Sequence, residues 1–237
     1  MTAQMPMSLQ PAHWHPVLPP SVLAQPGLQL DLSATNPALA SVAVDDAEAF
    51  GQWIGQRIAA ADCQWAIGGY GEHRGLYSMS PLFGDEDQAR SVHLGVDCWL
   101  PAGTEVYATR DGRVHSTANN ARFGDYGPTI VLAHETASGP MHSLYGHLAP
   151  ESLTLTRPGQ TVSAGQHIGW LGEPRVNVGW PPHLHFQLIR DMGQYHGDFP
   201  GVCAAQDREQ WLSRCPDPMP LFYAWCAKLC APDLRKP

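Results

Sequence analysis

Positive charge is scarce in this chain: 14 Lys and Arg stand against 22 Asp and Glu, a formal net charge of -8 over 237 residues. Nucleic-acid phosphates and anionic lipid headgroups are held by clustered Lys and Arg, so neither polyanion is an expected partner. Long apolar runs are missing as well. No stretch approaches the roughly 18 apolar residues of a membrane span, and no span is expected. The opening MTAQMPMSLQPAHWHPVLPP lacks the basic start and apolar run of a secretory signal. The expectation is a cytoplasmic protein, or a periplasmic or extracellular one if a leader has been removed. Cysteine is sparse and irregularly spaced, at Cys63, Cys98, Cys203, Cys215, Cys226 and Cys230, which predicts small buried thiols rather than a disulfide framework. Cys226 and Cys230 in YAWCAKLC would share one face of a helix, but a second zinc site there would need two further ligands.

Turn-forming residues are plentiful, with 23 Gly and 22 Pro, and they favour short strands over long helices. The length suits one core with appendages. Residues 1–45 read as a Pro-rich extension with no steady period. Residues 46–90 read as a helix and lead-in to the core: from Asp45, DDAEAFGQWIGQRIAAAD repeats Phe50, Ile54 and Ile58 every four behind an acidic start, which predicts an amphipathic helix lying on the sheet. Residues 91–190 hold VHLGVDCWL, TEVYATRDGRVHST, GPTIVLAH, HSLYGHL, QHIGWLG and HLHFQLI, separated by Gly, Pro, Asn and Asp. Six such stretches predict a mainly β, antiparallel barrel or sandwich. Residues 191–237, with Trp211, Leu221, Phe222 and Trp225, read as a packed appendage with one short helix, so that one or two short helices accompany the sheet.

Histidine is the residue type in excess, at twelve. In HLHFQLI, read as a strand, His183 and His185 emerge on one face about 7 Å apart. One can bind a metal while the other faces its open side, and Leu184 and Phe186 point to the core. In HLGVD, four residues of straight strand would part His93 and Asp97 by about 13 Å, so a bend is predicted at Gly95. Two histidines and a carboxylate are a catalytic zinc ligand set that leaves a fourth position for water. Zinc brings the pKa of that water toward about 7 and polarises a carbonyl. Hydrolysis then needs a proton acceptor and an oxyanion donor, roles that suit His147 and His183. His115, His134, His142, His167 and His196 are assigned to the surface or to supporting positions, and His13 and His15 to adventitious binding.

With those residues in hand, the chain resembles the lysostaphin/LytM family of zinc endopeptidases, which cut peptide cross-links of peptidoglycan. HLGVD, PAGTEVYATRDGRV, YGHL, TVSAGQHIGWLG and PHLHF carry the resemblance, in the family's order, from His93 to Leu188. It implies His93, Asp97 and His185 as ligands of one Zn2+ per chain, His147 and His183 as catalytic histidines, and a barrel-sandwich β core of the duplicated hybrid motif type. Three departures accompany it. VNVGWPP replaces a Ser/Thr-Gly-rich stretch before PHLHF, Gln187 stands where many members have Glu, and no export signal is evident. RVNVGWPPHLHFQLI, GDFPGV, WLSRCPDP and GYGEHRGLYSMSPLF also resemble the branch fused to phosphotransferase-like and class III aminotransferase domains. The expected function is a zinc metalloendopeptidase acting on a peptide or peptidoglycan. The alternative is a cytosolic zinc-containing binding or regulatory module that keeps the site without peptidoglycan cleavage.

Overall fold

The alternation of apolar and polar residues through the middle of the chain folds as read, and in the computed structural model it builds a mainly β protein with few helices. The structure describes residues 10–76 and 90–231. The first nine residues of the N-terminal extension, residues 77–89 of the lead-in and the last six residues of the appendage lie outside the described residues.

In chain order the elements are α1 (Pro20–Leu23), β1 (Gly27–Gln29), α2 (Ala47–Ala60), β2 (Trp65–Gly68), β3 (Arg90–His93), β4 (Val96–Trp99), β5 (Glu105–Tyr107), β6 (Gly112–Asn120), β7 (Gly127–Thr136) and β8 (Gly139–Gly146). They continue with α3 (Ser152–Leu155), β9 (Thr161–Val162), β10 (His167–Trp170), β11 (His183–Ile189), β12 (Val202–Ala204), α4 (Arg208–Arg214), α5 (Met219–Trp225) and β13 (Leu229–Cys230). Nine strands join in the order β13-β1-β2-β4-β11-β8-β7-β6-β9, while β10 pairs with β5 and β12 with β3. The sheets do not close into a barrel: among the described residues β13 and β9, the two edges of the large sheet, are not paired with each other. Its pairings are antiparallel except where β1 runs parallel to β2 and β13.

The predicted amphipathic helix is present, and two other readings are corrected. The helix at 47–60 is 14 residues long and well capped, with Asp46 accepting from the amides of Glu48 and Ala49. The C-terminal segment holds two helices rather than one, α4 and α5, parted at Cys215–Pro218 by prolines that cannot continue a helix. Cys226 caps the end of α5 and Cys230 lies in β13, so the two do not share a helical face.

Burial follows the period-two pattern most clearly in β11. Leu184, Phe186 and Leu188 enter the main core with Val96, Ile130, Tyr145 and Phe222, and His183, His185 and Gln187 take the opposite face. Both ends of the chain contribute to this core, through Trp14, Val17 and Leu18 on one side and Leu221 on the other. Helix α2 covers the β1–β2–β4 part of the sheet, burying Phe50 and Ile54 against Leu28, Ala66 and Trp99. Cys63, Cys98, Cys203 and Cys215 are buried thiols, and all six cysteines are free.

Candidate functional site

Strand β11 lies between β4 and β8, and its register puts His185 opposite Asp97 on one side and Gly146 on the other. His183 sits opposite Trp99, with rings 5.9 Å apart and nearly parallel at 21°. His93 arrives from β3, which ends as the chain bends through Leu94 and Gly95 into β4. The bend requires glycine: a Cβ on Gly95 would stand 2.7 Å from the Phe186 carbonyl oxygen and 2.8 Å from His185 Nε2. Through this bend the predicted separation of His93 and Asp97 collapses, and His93 Nε2 lies 3.4 Å from Asp97 Oδ1.

Hydrogen bonds on the outer side of each ring fix which atom is left for a ligand. His93 Nδ1 donates to the Gly69 carbonyl at 3.1 Å, leaving the Nε2 lone pair inward. Gln187 Nε2 donates to the Pro200 carbonyl and to Cys215 Sγ, so its Oε1 accepts from His185 Nε2 at 2.9 Å and the Nδ1 lone pair of His185 is turned inward. That nitrogen stands 3.0 Å from His93 Nε2 and 3.1 Å from Asp97 Oδ1. Three electron-pair donors thus converge, all on residues no more than 4% exposed, and they repel one another until a cation stands between them. Bonds of about 2.0–2.1 Å at tetrahedral angles would part such donors by about 3.4 Å, so separations of 3.0, 3.1 and 3.4 Å fit an ion of zinc's size.

The charges agree with that fit. Burial, reinforced by the Arg74 charge, pulls the His93 pKa down to about 3, which keeps its imidazole neutral and ligating near neutrality. For Asp97, burial alone would raise the pKa, but the neighbouring His93 ring and the Arg74 charge outweigh it and hold the carboxyl well below its usual range. Arg74, 3% exposed, donates from Nη1 to Asp97 Oδ2 at 2.6 Å and from Nε to Glu72 Oε2 at 2.6 Å. Glu72 Oε1 in turn accepts from the Leu32 amide. Arg74 therefore occupies one carboxylate oxygen of Asp97 and leaves the other to the convergence point.

His147 lies just past the end of β8 in the left-handed backbone region, at φ 63°, a conformation that costs a non-glycine residue about 1–3 kcal/mol and persists where surrounding contacts impose it. Its Nδ1 donates to Asn177 Oδ1 at 2.5 Å. Asn177 Nδ2 and His183 Nδ1 both donate to the Pro181 carbonyl, at 3.1 and 2.8 Å. The VNVGWPP loop thus orients both histidines and leaves Nε2 of each as a free acceptor. The two rings lie 4.0 Å apart, and His183 Nε2 stands 3.9 Å from Asp97 Oδ1. Burial lowers both pKa values, that of His147 well below the ordinary range, with His183 adding to it.

All five residues singled out from the sequence line one cavity of about 250 Å³. Leu32, Phe50, Trp180, Tyr195, Asp198 and Phe199 line it as well. Sequence reasoning missed Arg74, Glu72, Asn177 and Tyr126, whose hydroxyl lies 3.4 Å from His185 Nε2. Only the glycine-rich context of GYGEHRGL offered a signal for Arg74. His134, assigned to the surface or to a supporting position, is buried and bonded to the Asp111 carbonyl and Ser143 Oγ.

Part of the chain is similar to known proteins. Residues 91–196 match Peptidase family M23. The peptidoglycan DD-endopeptidase ShyA of Vibrio cholerae is 34% identical over 128 residues, covering 54% of this chain and 26% of that protein. Lysostaphin of Staphylococcus staphylolyticus is 32% identical over 98 residues, covering 41% and 18%. The solved catalytic domain of lysostaphin from Staphylococcus simulans aligns with a TM-score of 0.43 at 24% identity, over 73% of this chain and 97% of that one. The chain spans 26% or less of the length of these two curated relatives. The matched segment, residues 91–196, contains His93, Asp97, His147, His183 and His185.

Proposed function

We propose that this chain is a zinc-dependent metalloendopeptidase that hydrolyses an amide bond in the peptide cross-links of peptidoglycan. The observation that carries the reading is the convergence of three inward lone pairs, on His93, Asp97 and His185, beside two histidines with free Nε2 atoms. The substrate class rests on ShyA, named as a peptidoglycan DD-endopeptidase, and goes with a periplasmic or extracellular site of action.

His93, Asp97 and His185 would hold the ion, one per catalytic centre. When bound, zinc supplies Lewis-acid polarisation of a carbonyl and acidifies water. The protein's own part lies in His147 and His183. Each is neutral near pH 7 because burial lowers its pKa, and each has Nδ1–H committed to a fixed acceptor. Their Nε2 atoms are therefore oriented proton acceptors. The one that gains the proton of the attacking water becomes a donor, first toward the developing oxyanion and then toward the leaving amine.

The test is a comparison of two variants. His185→Ala is expected to lose metal and activity together, whereas His183→Ala is expected to keep the metal and lose turnover by about 10²-fold or more. Full activity in His183→Ala would remove that residue from the mechanism.

A further inference from the structure

A second group of imidazoles lies outside the catalytic cavity. His115 stands on β6, His142 on β8 and His196 in the loop between β11 and β12. The β6–β7 register shifts between Val114 and Ser116, which makes His115 the bulged residue, and a bulge re-aims a side chain relative to its strand. The His115 ring centre comes within 5.2 Å of His142 and 5.5 Å of His196.

Those separations can be compared with what coordination requires. A metal–nitrogen bond of about 2.0–2.1 Å places an imidazole centre about 3.2 Å from the ion, and two such rings at a tetrahedral angle are about 5.2 Å apart. At the catalytic centre, His93 and His185 are 4.9 Å apart, while the His147–His183 pair, to which no metal is assigned, is closer at 4.0 Å.

Two other observations point the same way. His142 Nδ1 is buried and has no hydrogen-bond partner among the described residues. The loop bearing His196 is fastened beside His115, since the Gly197 amide donates to Ser116 Oγ at 2.8 Å and Asn120 Nδ2 donates to the Gly197 carbonyl at 3.0 Å. As placed, the three rings do not bring one ligand atom each within 4.8 Å of one another; His196 is exposed, and its ring must turn to complete the set.

We propose that His115, His142 and His196 form a second binding site for a divalent transition ion of the imidazole-preferring class, zinc above all, distinct from the catalytic centre. Tyr195, Asp198 and Phe199 on the same loop line the catalytic cavity, so an ion here ties one wall of the groove to strands β6 and β8. The site would hold that wall in place without touching substrate.

The experiment is a titration of Zn2+ into the metal-stripped full-length protein, repeated with Co2+ to read tetrahedral coordination from its visible absorption. The unmodified chain is expected to take two equivalents. His196→Ala, a change at an exposed position, and His115→Ala are each expected to weaken one equivalent at least tenfold and leave the other unchanged. A His93→Gln chain should retain the equivalent that His196→Ala weakens, which separates this site from the catalytic reading. A single equivalent in the unmodified chain, or a second one that survives both His196→Ala and His115→Ala, overturns the proposal.

Discussion

Gly95→Ala isolates the contact that brings His93 and Asp97 together. The added Cβ would meet the Phe186 carbonyl oxygen at 2.7 Å and His185 Nε2 and Cε1 at 2.8 and 2.9 Å. The carbonyl belongs to β11 and cannot swing aside, and its contact falls about 0.7 Å short of the 3.4 Å at which ordinary packing begins. Either the bend or β11 must move by that amount, and either movement carries a ligand with it. Overpacking of this kind costs about 1–3 kcal/mol, visible as a lower urea midpoint in metal-free protein. Displacing His185 from its contact with Gln187 is expected to weaken zinc about 10- to 100-fold, the usual effect of losing an outer partner of a ligand, as read by competition with a chelating dye. Gly55→Ala in α2 is the control: nothing lies within 4 Å of its added Cβ, and it should raise stability by about 0.5–1 kcal/mol. Unchanged midpoint and zinc affinity in Gly95→Ala would refute the argument that close approach at the bend dictates this residue.

Arg74→Met leaves the Asp97 and Glu72 carboxylates facing each other in a buried place without their shared cation; a loss of about 3–5 kcal/mol is expected in metal-free protein, smaller once zinc is bound, by urea unfolding with and without metal. The metal-free protein should also lose stability on acidification. His93 falls from an ordinary 6.5 to about 3 on folding, so between those values the unfolded chain binds the extra proton. Stability is full above about 6.5 and declines as pH falls toward 3, by up to about 1.4 kcal/mol per pH unit for each such histidine. A flat urea midpoint from pH 7 to 4 would contradict this. Asn177→Ala removes the acceptor that fixes His147 Nδ1 and should lower turnover about tenfold or more with zinc content unchanged; loss of zinc instead would mean that the loop supports the ligands rather than the catalytic histidine.

The parts of the site that the sequence made legible are those set by local geometry. HLHFQLI alternates strictly, so the common face of His183 and His185 follows from strand period alone, and Leu184 and Phe186 reach the core as that period requires. The bend at Gly95 follows from the reach of a strand against the reach of a metal ligand. What stayed hidden depends on contacts between distant segments. Arg74 meets Asp97 across 23 positions, from a segment without periodicity. His147 was read inside a strand, and no propensity predicts φ 63° for histidine. The N-terminal segment shows no period, yet Trp14, Val17 and Leu18 are buried, because irregular chain can bury isolated large side chains without forming an element. Strand number alone left a barrel and a sandwich both open, because whether the edges of a sheet meet depends on how it twists and curls; here β9 and β13 stand unpaired at the two edges.

The central claim, that a divalent ion held by His93, Asp97 and His185 makes this chain a peptidoglycan endopeptidase, is tested most directly by peptide release from purified peptidoglycan. The protein is assayed as prepared, after chelation, and after zinc is restored. Release that stops on chelation and returns with zinc in the unmodified chain, but never appears in His185→Ala, is the predicted result. Release that persists through chelation, or its absence from fully zinc-loaded protein, would contradict the account.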